Sequence, residues 1–339
     1  MVMVEYCGLV DAYLCQLDEL LRRPRFHNAP RGFASSELIG VSYVIGDPRR
    51  RVVPIPVRQS NIVFNFAEAL WYYAGRDDLS YLSYYAPGIA RFVSGATCLT
   101  GTAYGPRIFR FGASALDQWA SVVRTLAGDP DSKRAVIQIF RPEELLIPGN
   151  PDVACTLALQ FLVRDGALHL VGFMRANDAY RGMVSDVFSF TFLQELLARQ
   201  LDLRLGSYTH MVGSLHLYEP DAEAARRVLA AAGRPAQRRD RMPAMPDGDP
   251  RPFVDRVMRI EEGLRADTRR VTTAELARLE LPDYWRQVVI LFELHRQVRY
   301  GAPAAGAEDL LDALVPLYRH MMLNRFPALA TKRAAEVVA

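Results

Sequence analysis

Apolar residues recur at helical spacing through residues 5–23, where Leu9, Tyr13, Leu17, Leu20 and Leu21 line one side of an amphipathic helix. Pro24, Pro30 and Gly32 then punctuate a basic loop, RRPRFHNAPRGFASSE. ELIGVSYVIGD and RRVVPIPVR read as two strands around a turn at Asp47-Pro48. NIVFNFAEALWYYAG predicts a buried helix ending at Gly75, with a single acid, Glu68, in its apolar face. Residues 86–110 are loop-rich, and ALDQWASVVRTLAGDP reads as a helix stopped by Gly128 and Pro130. KRAVIQIF, TLALQFLVRD and ALHLVGFMR predict three strands, the latter two joined by Asp165-Gly166, a hairpin turn pair. DVFSFTFLQELLARQL is the expected long central helix, and SYTHMVGSLHLYEP the strand that follows it.

Pro, Arg and Gly then dominate GRPAQRRDRMPAMPDGDPRP, which reads as a linker. Residues 253–325 return to a helical pattern, and the final TKRAAEVVA reads as a frayed end. The expected organisation is a core over residues 1–232, a linker over 233–252 and a helical segment over 253–339 packed on the same domain.

Composition narrows the classes. The chain has 339 residues, 50% hydrophobic and 23% charged, with a formal charge of +3, an ordinary globular balance. That charge is too small to imply a nucleic-acid polymer or a membrane surface as partner. No apolar run reaches the roughly 18 residues of a membrane span. The N-terminus carries acids and does not read as a signal peptide, so a cytoplasmic location is expected. Four cysteines lack zinc spacing and six histidines form no HExxH, so no metal is expected. If a cysteine matters, it matters as a thiol.

The densest chemistry lies in FMRANDAYRGMVSDVFSFTF, where Arg175, Asn177, Asp178, Arg181 and Asp186 crowd ahead of an apolar run. Together with DPDSKRAVIQIF, the strand pair from DVACTLALQF onward and GSLHLYEPD, this stretch resembles the thymidylate synthase family in order, spacing and content. NFAEALWYYAG and GTAYGPRIFRF extend the likeness, which covers roughly residues 30–232. The resemblance implies an α/β fold with a central twisted mixed sheet flanked by helices, dimerising through the sheet.

It also implies roles, residue by residue. Cys155 falls at the nucleophile, whose thiolate adds to C6 of a pyrimidine and activates C5. Arg175 would flank the thiolate and the phosphate, lowering the thiol pKa. Lys133 and Arg134 fall where paired arginines from the neighbouring subunit grip the 5′-phosphate, and Arg31 is a further phosphate ligand on the N-terminal loop. His216 and Tyr218 match the pair that binds the sugar hydroxyl. Glu68 matches the acid that relays protons to the base, Tyr104 the tyrosine of the proton-abstraction site, and Asp178 the aspartate that binds the pterin. The cosubstrate implied is 5,10-methylenetetrahydrofolate. Taken singly, Cys155 reads as a small core hydrophobe, Asp178 as a turn cap and Lys133–Arg134 as a solvated strand start. One family accounts for all of them together.

Departures from the family pattern point to the substrate. The synthases carry an Asn where this chain has Asp186. A carboxamide donates to O4 and accepts from N3–H of uracil, whereas a carboxylate only accepts and suits the amino group of cytosine. A mismatched buried edge leaves polar groups unpaired, which discriminates strongly. Asp186 therefore points to the pyrimidine nucleotide hydroxymethylase branch. The stretch PGIARFVSGATCLTG lacks the tryptophans that shield the synthase intermediate, so water capture, giving a hydroxymethyl group, is expected. Ala176 replaces a Ser and Lys133 an Arg at the phosphate–sugar end, where a smaller residue and a point-charge cation leave room for a 2′-hydroxyl; CMP rather than dCMP is what the resemblance implies. In that respect the pattern looks nearest to CMP hydroxymethylases of nucleoside antibiotic pathways. The alternatives are a dCMP hydroxymethylase, a uridylate methyltransferase, and an inactive paralogue that only binds nucleotides.

Overall fold

The computed structural model describes residues 3–92, 97–232, 240–301 and 306–330. The first part of the expected linker and the TKRAAEVVA end lie outside the described residues. Seven strands form one mixed sheet: β1 (Val4–Tyr6), β2 (Phe26–Asn28), β3 (Ser35–Ile45), β4 (Val136–Gln138), β5 (Thr156–Arg164), β6 (Ala167–Asp178) and β7 (Arg204–Tyr218). Their order is β1-β3-β7-β6-β5-β4, with β2 paired to β3. The β5–β6 hairpin closes where expected. Asp165 and Gly166 both take left-handed backbone, φ 50° and 68°, as a two-residue turn of that twist requires.

Twelve helices surround the sheet among the described residues: α1 (Leu9–Arg22), α2 (Ile62–Tyr73), α3 (Leu79–Tyr85), α4 (Tyr104–Phe109), α5 (Gln118–Gly128), α6 (Met183–Gln200), α7 (Ala222–Ala231), α8 (Arg251–Arg265), α9 (Thr273–Leu276), α10 (Asp283–Tyr300), α11 (Ala307–Asp312) and α12 (Pro316–Arg325). The mixed sheet flanked by helices is the fold class read from the sequence. None of the described helices is long and apolar enough to cross a membrane.

α6 is buried on every side from Val187 to Ala198, which explains why its sequence lacks a polar stripe. It runs between the β6–β7 surface and α2, and Phe192 meets Trp285 of α10 edge-on at 6.4 Å. Most polar groups in that buried stretch are paired, Gln194 Oε1 excepted. Gln194 Nε2 donates to the carbonyls of Leu168 (2.9 Å) and Ser207 (3.0 Å), and Glu195 pairs with Arg51, also fully buried. The helices after residue 250 pack against α2 and α3: Tyr85 donates to Glu261 at 2.7 Å, and α10 and α12 both contact α2. One contiguous buried cluster runs from Leu9 to Leu329.

Three sequence expectations change. RRVVPIPVR forms no strand: Pro54 and Pro56 lack donors, and β3 already has β7 on one edge and β1 and β2 on the other. The segment instead threads the core, with Arg51, Val52 and Val53 fully buried. The first helix begins at Leu9, because residues 4–6 pair in parallel with Tyr43–Ile45. The AEDLLDALVPLYRHMML stretch is two helices, broken where Pro316 opens α12. β2 and α3 are short, whereas α7 carries a helical pattern, with Ala225 and Val228 buried on one side, that the sequence reading missed.

Candidate active site

Cys155 stands just before β5, half-buried, and the sheet brings Arg175 of β6 beside it. Arg175 N donates to the Cys155 carbonyl at 2.9 Å, and its Nη2 lies 3.6 Å from Sγ. The guanidinium is fixed by the carbonyls of Ala154 (2.8 Å) and Val153 (2.9 Å). Burial raises the Cys155 thiol above its ordinary range, while Arg175 and, more weakly, Arg31 pull it down and Asp186 pushes it up. The expected lowering by Arg175 is thus present but outweighed by desolvation. Arg31 sits exposed on a single turn in left-handed backbone, φ 53°.

Asp186 acts on this thiol, and Glu68 acts in turn with Asp186. Asp186, in the first turn of α6, is held up to about 7, chiefly by burial, against a hydrogen bond from Asn177 Nδ2 at 2.7 Å. Glu68 of α2 is pushed up to about 8 by burial and then by Asp186, and accepts from Ser189 Oγ at 3.3 Å. The Tyr104 ring stacks on Tyr72 at 4.9 Å and on Phe190 at 6.3 Å, so α2 and α6 together hold it. Burial, Asp186 and Cys155 all raise Tyr104, which keeps its hydroxyl protonated.

The segment leading into Cys155 is clamped by residues that sequence reading missed. Asp152 accepts from the amides of Thr100 (2.7 Å), Gly101 (3.0 Å) and Thr102 (2.7 Å) and from both threonine hydroxyls (3.3 Å from Thr100, 2.6 Å from Thr102). Gly101 is required there, because a Cβ would fall 2.1 Å from the Asp152 carbonyl oxygen. Glu144 takes the Ala154 amide at 2.8 Å and pairs with buried Arg107. These acids sit in loop sequence with no periodic signature.

His216 and Tyr218, the expected sugar-binding pair, share a face of β7, rings 4.9 Å apart. Ala176 pairs across the strands with Ser214, and Asp178 with His216. Asp178 Oδ1 accepts from the amides of Tyr180 and Arg181, both at 2.9 Å, so the turn-capping role is real. Among the described residues its Oδ2 has no partner and can accept an N–H from a pterin ring, which fits a folate. Lys133 and Arg134 are exposed ahead of edge strand β4, and their hydrogen bonds run through the backbone, apart from the Cys155 cluster. Among the described residues no group of three or more His, Cys, Asp or Glu side chains could hold a metal.

The family model described as thymidylate synthase matches residues 41–242. The chain belongs to the thymidylate synthase family. A relative within reach of this family match, the deoxyuridylate hydroxymethyltransferase of Bacillus phage SP01, is 32% identical over 203 residues, covering 57% of this chain and 53% of that protein. The chain thus spans about half the length of that curated relative. The match to the thymidylate synthase family takes in all of the cluster around Cys155 except Arg31, which precedes it.

Proposed function

We propose that the protein is a one-carbon transferase, a pyrimidine nucleotide 5-hydroxymethylase that converts CMP. The observation that carries this reading is Asp186: a partly buried carboxyl held at about 7, in the same cluster as Cys155, Glu68 and Tyr104. A neutral carboxyl donates through one oxygen to N3 of cytosine and accepts the 4-amino group with the other, a two-point match. Cys155 Sγ adds to C6 of the bound ring, and the electron pair moves toward C5. When bound, 5,10-methylenetetrahydrofolate supplies the carbon at the formaldehyde oxidation level. Asp178 orients the pterin, the Tyr104 hydroxyl stands at the C5 proton, and Glu68 relays protons to the ring through water. The C5 proton is removed, tetrahydrofolate leaves the methylene carbon, water adds to the exocyclic methylene and Cys155 departs, so the nucleotide gains CH₂O in total.

Arg175 and Arg31 hold the 5′-phosphate from within the subunit, and His216 and Tyr218 bind the sugar. Lys133 and Arg134, exposed at the sheet edge, reach the phosphate of a partner in a homodimer formed through the sheet. Residues 1–232 hold the catalytic core on this reading, and the helices α10 and α12 of the C-terminal segment brace α2. CMP rather than dCMP rests on Ala176 and Lys133. A cytoplasmic role in nucleoside antibiotic biosynthesis goes with that substrate.

A second reading has an observation in its favour. The phage relative is named for a deoxyuridylate, so a uridylate could be the substrate; Asp186 argues against it. Asp186→Asn is the test. The variant should lose cytidylate turnover and gain on uridylates, a swing in kcat/KM ratio of about 10²-fold or more. An unchanged preference would sink the cytosine reading.

A further inference from the structure

Asp186 does not stand alone. Tyr208 Oη lies 2.6 Å from His210 Nδ1, His210 Nε2 lies 3.0 Å from Asn177 Oδ1, and Asn177 Nδ2 lies 2.7 Å from Asp186 Oδ2. Tyr208 and His210 are fully buried and Asn177 nearly so. Room for the chain is built into the backbone. A Cβ at Gly172 would lie 2.7 Å from Tyr208 Oη, and one at Gly182 would lie 3.2 Å from Asp186 Oδ2 and 3.3 Å from Asn177 Nδ2.

A hydrogen-bond chain of this kind has a direction. Burial raises Tyr208 far above its ordinary range and lowers His210 to about 3, so one is a neutral phenol and the other a neutral imidazole. A phenol O–H donates to Nδ1, which leaves the imidazole proton on Nε2. Nε2–H donates to Asn177 Oδ1, which turns Nδ2–H toward Asp186 Oδ2. The opposite direction would put the proton of Asp186 on Oδ2, turn the carboxamide over and strand the buried tyrosine hydrogen. An unpaired buried donor makes that state the costlier one.

The consequence falls on the base. We infer that Tyr208, His210 and Asn177 are positioning residues that confine the Asp186 proton to Oδ1, the oxygen with no protein partner among the described residues, and so impose a cytosine-complementary edge. With the proton there, Oδ1–H meets N3, and Oδ2 accepts from the 4-amino group with its second lone pair. A proton on Oδ2 would be spent on Asn177 and would leave Oδ1 a bare acceptor, which meets N3–H of uracil and repels N3 of cytosine. A bare neutral carboxyl could adopt either arrangement. The relay supplies the choice. This inference rests on the cytidylate reading above and deepens it.

Tyr208→Phe removes the anchoring hydroxyl and little else. Wild type and variant are given CMP and UMP with methylenetetrahydrofolate, and the ratio of kcat/KM values is compared. The variant should lose about tenfold or more of its preference for CMP, with turnover of UMP rising as that of CMP falls. A ratio within about twofold of wild type overturns the inference and leaves the cytosine assignment standing. A wild-type protein that prefers UMP removes the base assignment, and the inference with it. A second measurement needs no variant: nitrogen-15 spectra of the histidine-labelled wild type. His210 should show a protonated Nε2 and a bare Nδ1. The reverse tautomer, or an imidazolium, overturns the directional relay whatever the substrate proves to be.

Discussion

Asp152→Asn tests the clamp that holds the nucleophile segment. The carboxylate gathers three amide donors in a buried position: Thr100 and Gly101 on Oδ2, and Thr102 on Oδ1. A carboxamide of the same shape must put its NH₂ on one side. The least costly choice is the Oδ1 side, where the Thr102 hydroxyl can rotate to accept but the Thr102 amide is left facing a donor. One unpaired buried amide costs about 1–3 kcal/mol, and loss of charge on the remaining acceptor weakens each of the other two amide bonds by about 1 kcal/mol. The expected loss is about 3–5 kcal/mol, read as the shift in urea unfolding midpoint followed by circular dichroism. Turnover should fall as well, because Asp152 lies three residues before Cys155 and its loop partner leads into Tyr104. A stability loss under about 1 kcal/mol with unchanged turnover would refute the clamp.

Two further predictions concern acid–base balance and the sugar. On the cytidylate reading, turnover requires Asp186 protonated and Cys155 ionised, with the carboxyl at about 7 and the thiol above its ordinary range. Below about 7 the rate should therefore fall with pH as thiolate is lost. Between the two values the gain of thiolate offsets the loss of the protonated acid, and above the thiol value the rate should fall again. Glu68, at about 8, titrates within that plateau, so the assignment is made with Asp186→Asn acting on a uridylate: only the break near 7 should vanish. The double variant Ala176→Ser with Lys133→Arg should shift preference from CMP toward dCMP by about tenfold, and unchanged ratios in a competition assay would refute the sugar argument.

Much of the frame was legible because it is local. Asp165-Gly166 fixes the β5–β6 hairpin, Asn61 caps α2 by accepting the Phe64 amide at 3.1 Å, and Gly75 ends it in left-handed backbone. Cys155, Arg175, Glu68, Tyr104 and Asp186 were legible as a set through family resemblance, and folding gathers them into one electrostatic neighbourhood. What could not be read was long-range. Asn177 and His210 are 33 positions apart and meet only through the parallel register of β6 on β7. Asp152 looked like any loop acid until 50 residues of chain brought Thr102 to it. RRVVPIPVR had the composition of a strand, but strand propensity is idle where no sheet edge is free and prolines remove the donors.

The central claim is that a carboxyl at Asp186 selects cytosine and that water, not hydride, captures the methylene. A product mass spectrum tests both at once. The protein is incubated with methylenetetrahydrofolate and an equimolar mixture of CMP, dCMP, UMP and dUMP. A gain of CH₂O on CMP is the predicted result. A gain of CH₂ on dUMP would make this a divergent methylating synthase, and a gain of CH₂O on a uridylate would mean that Asp186 does not read the base as described.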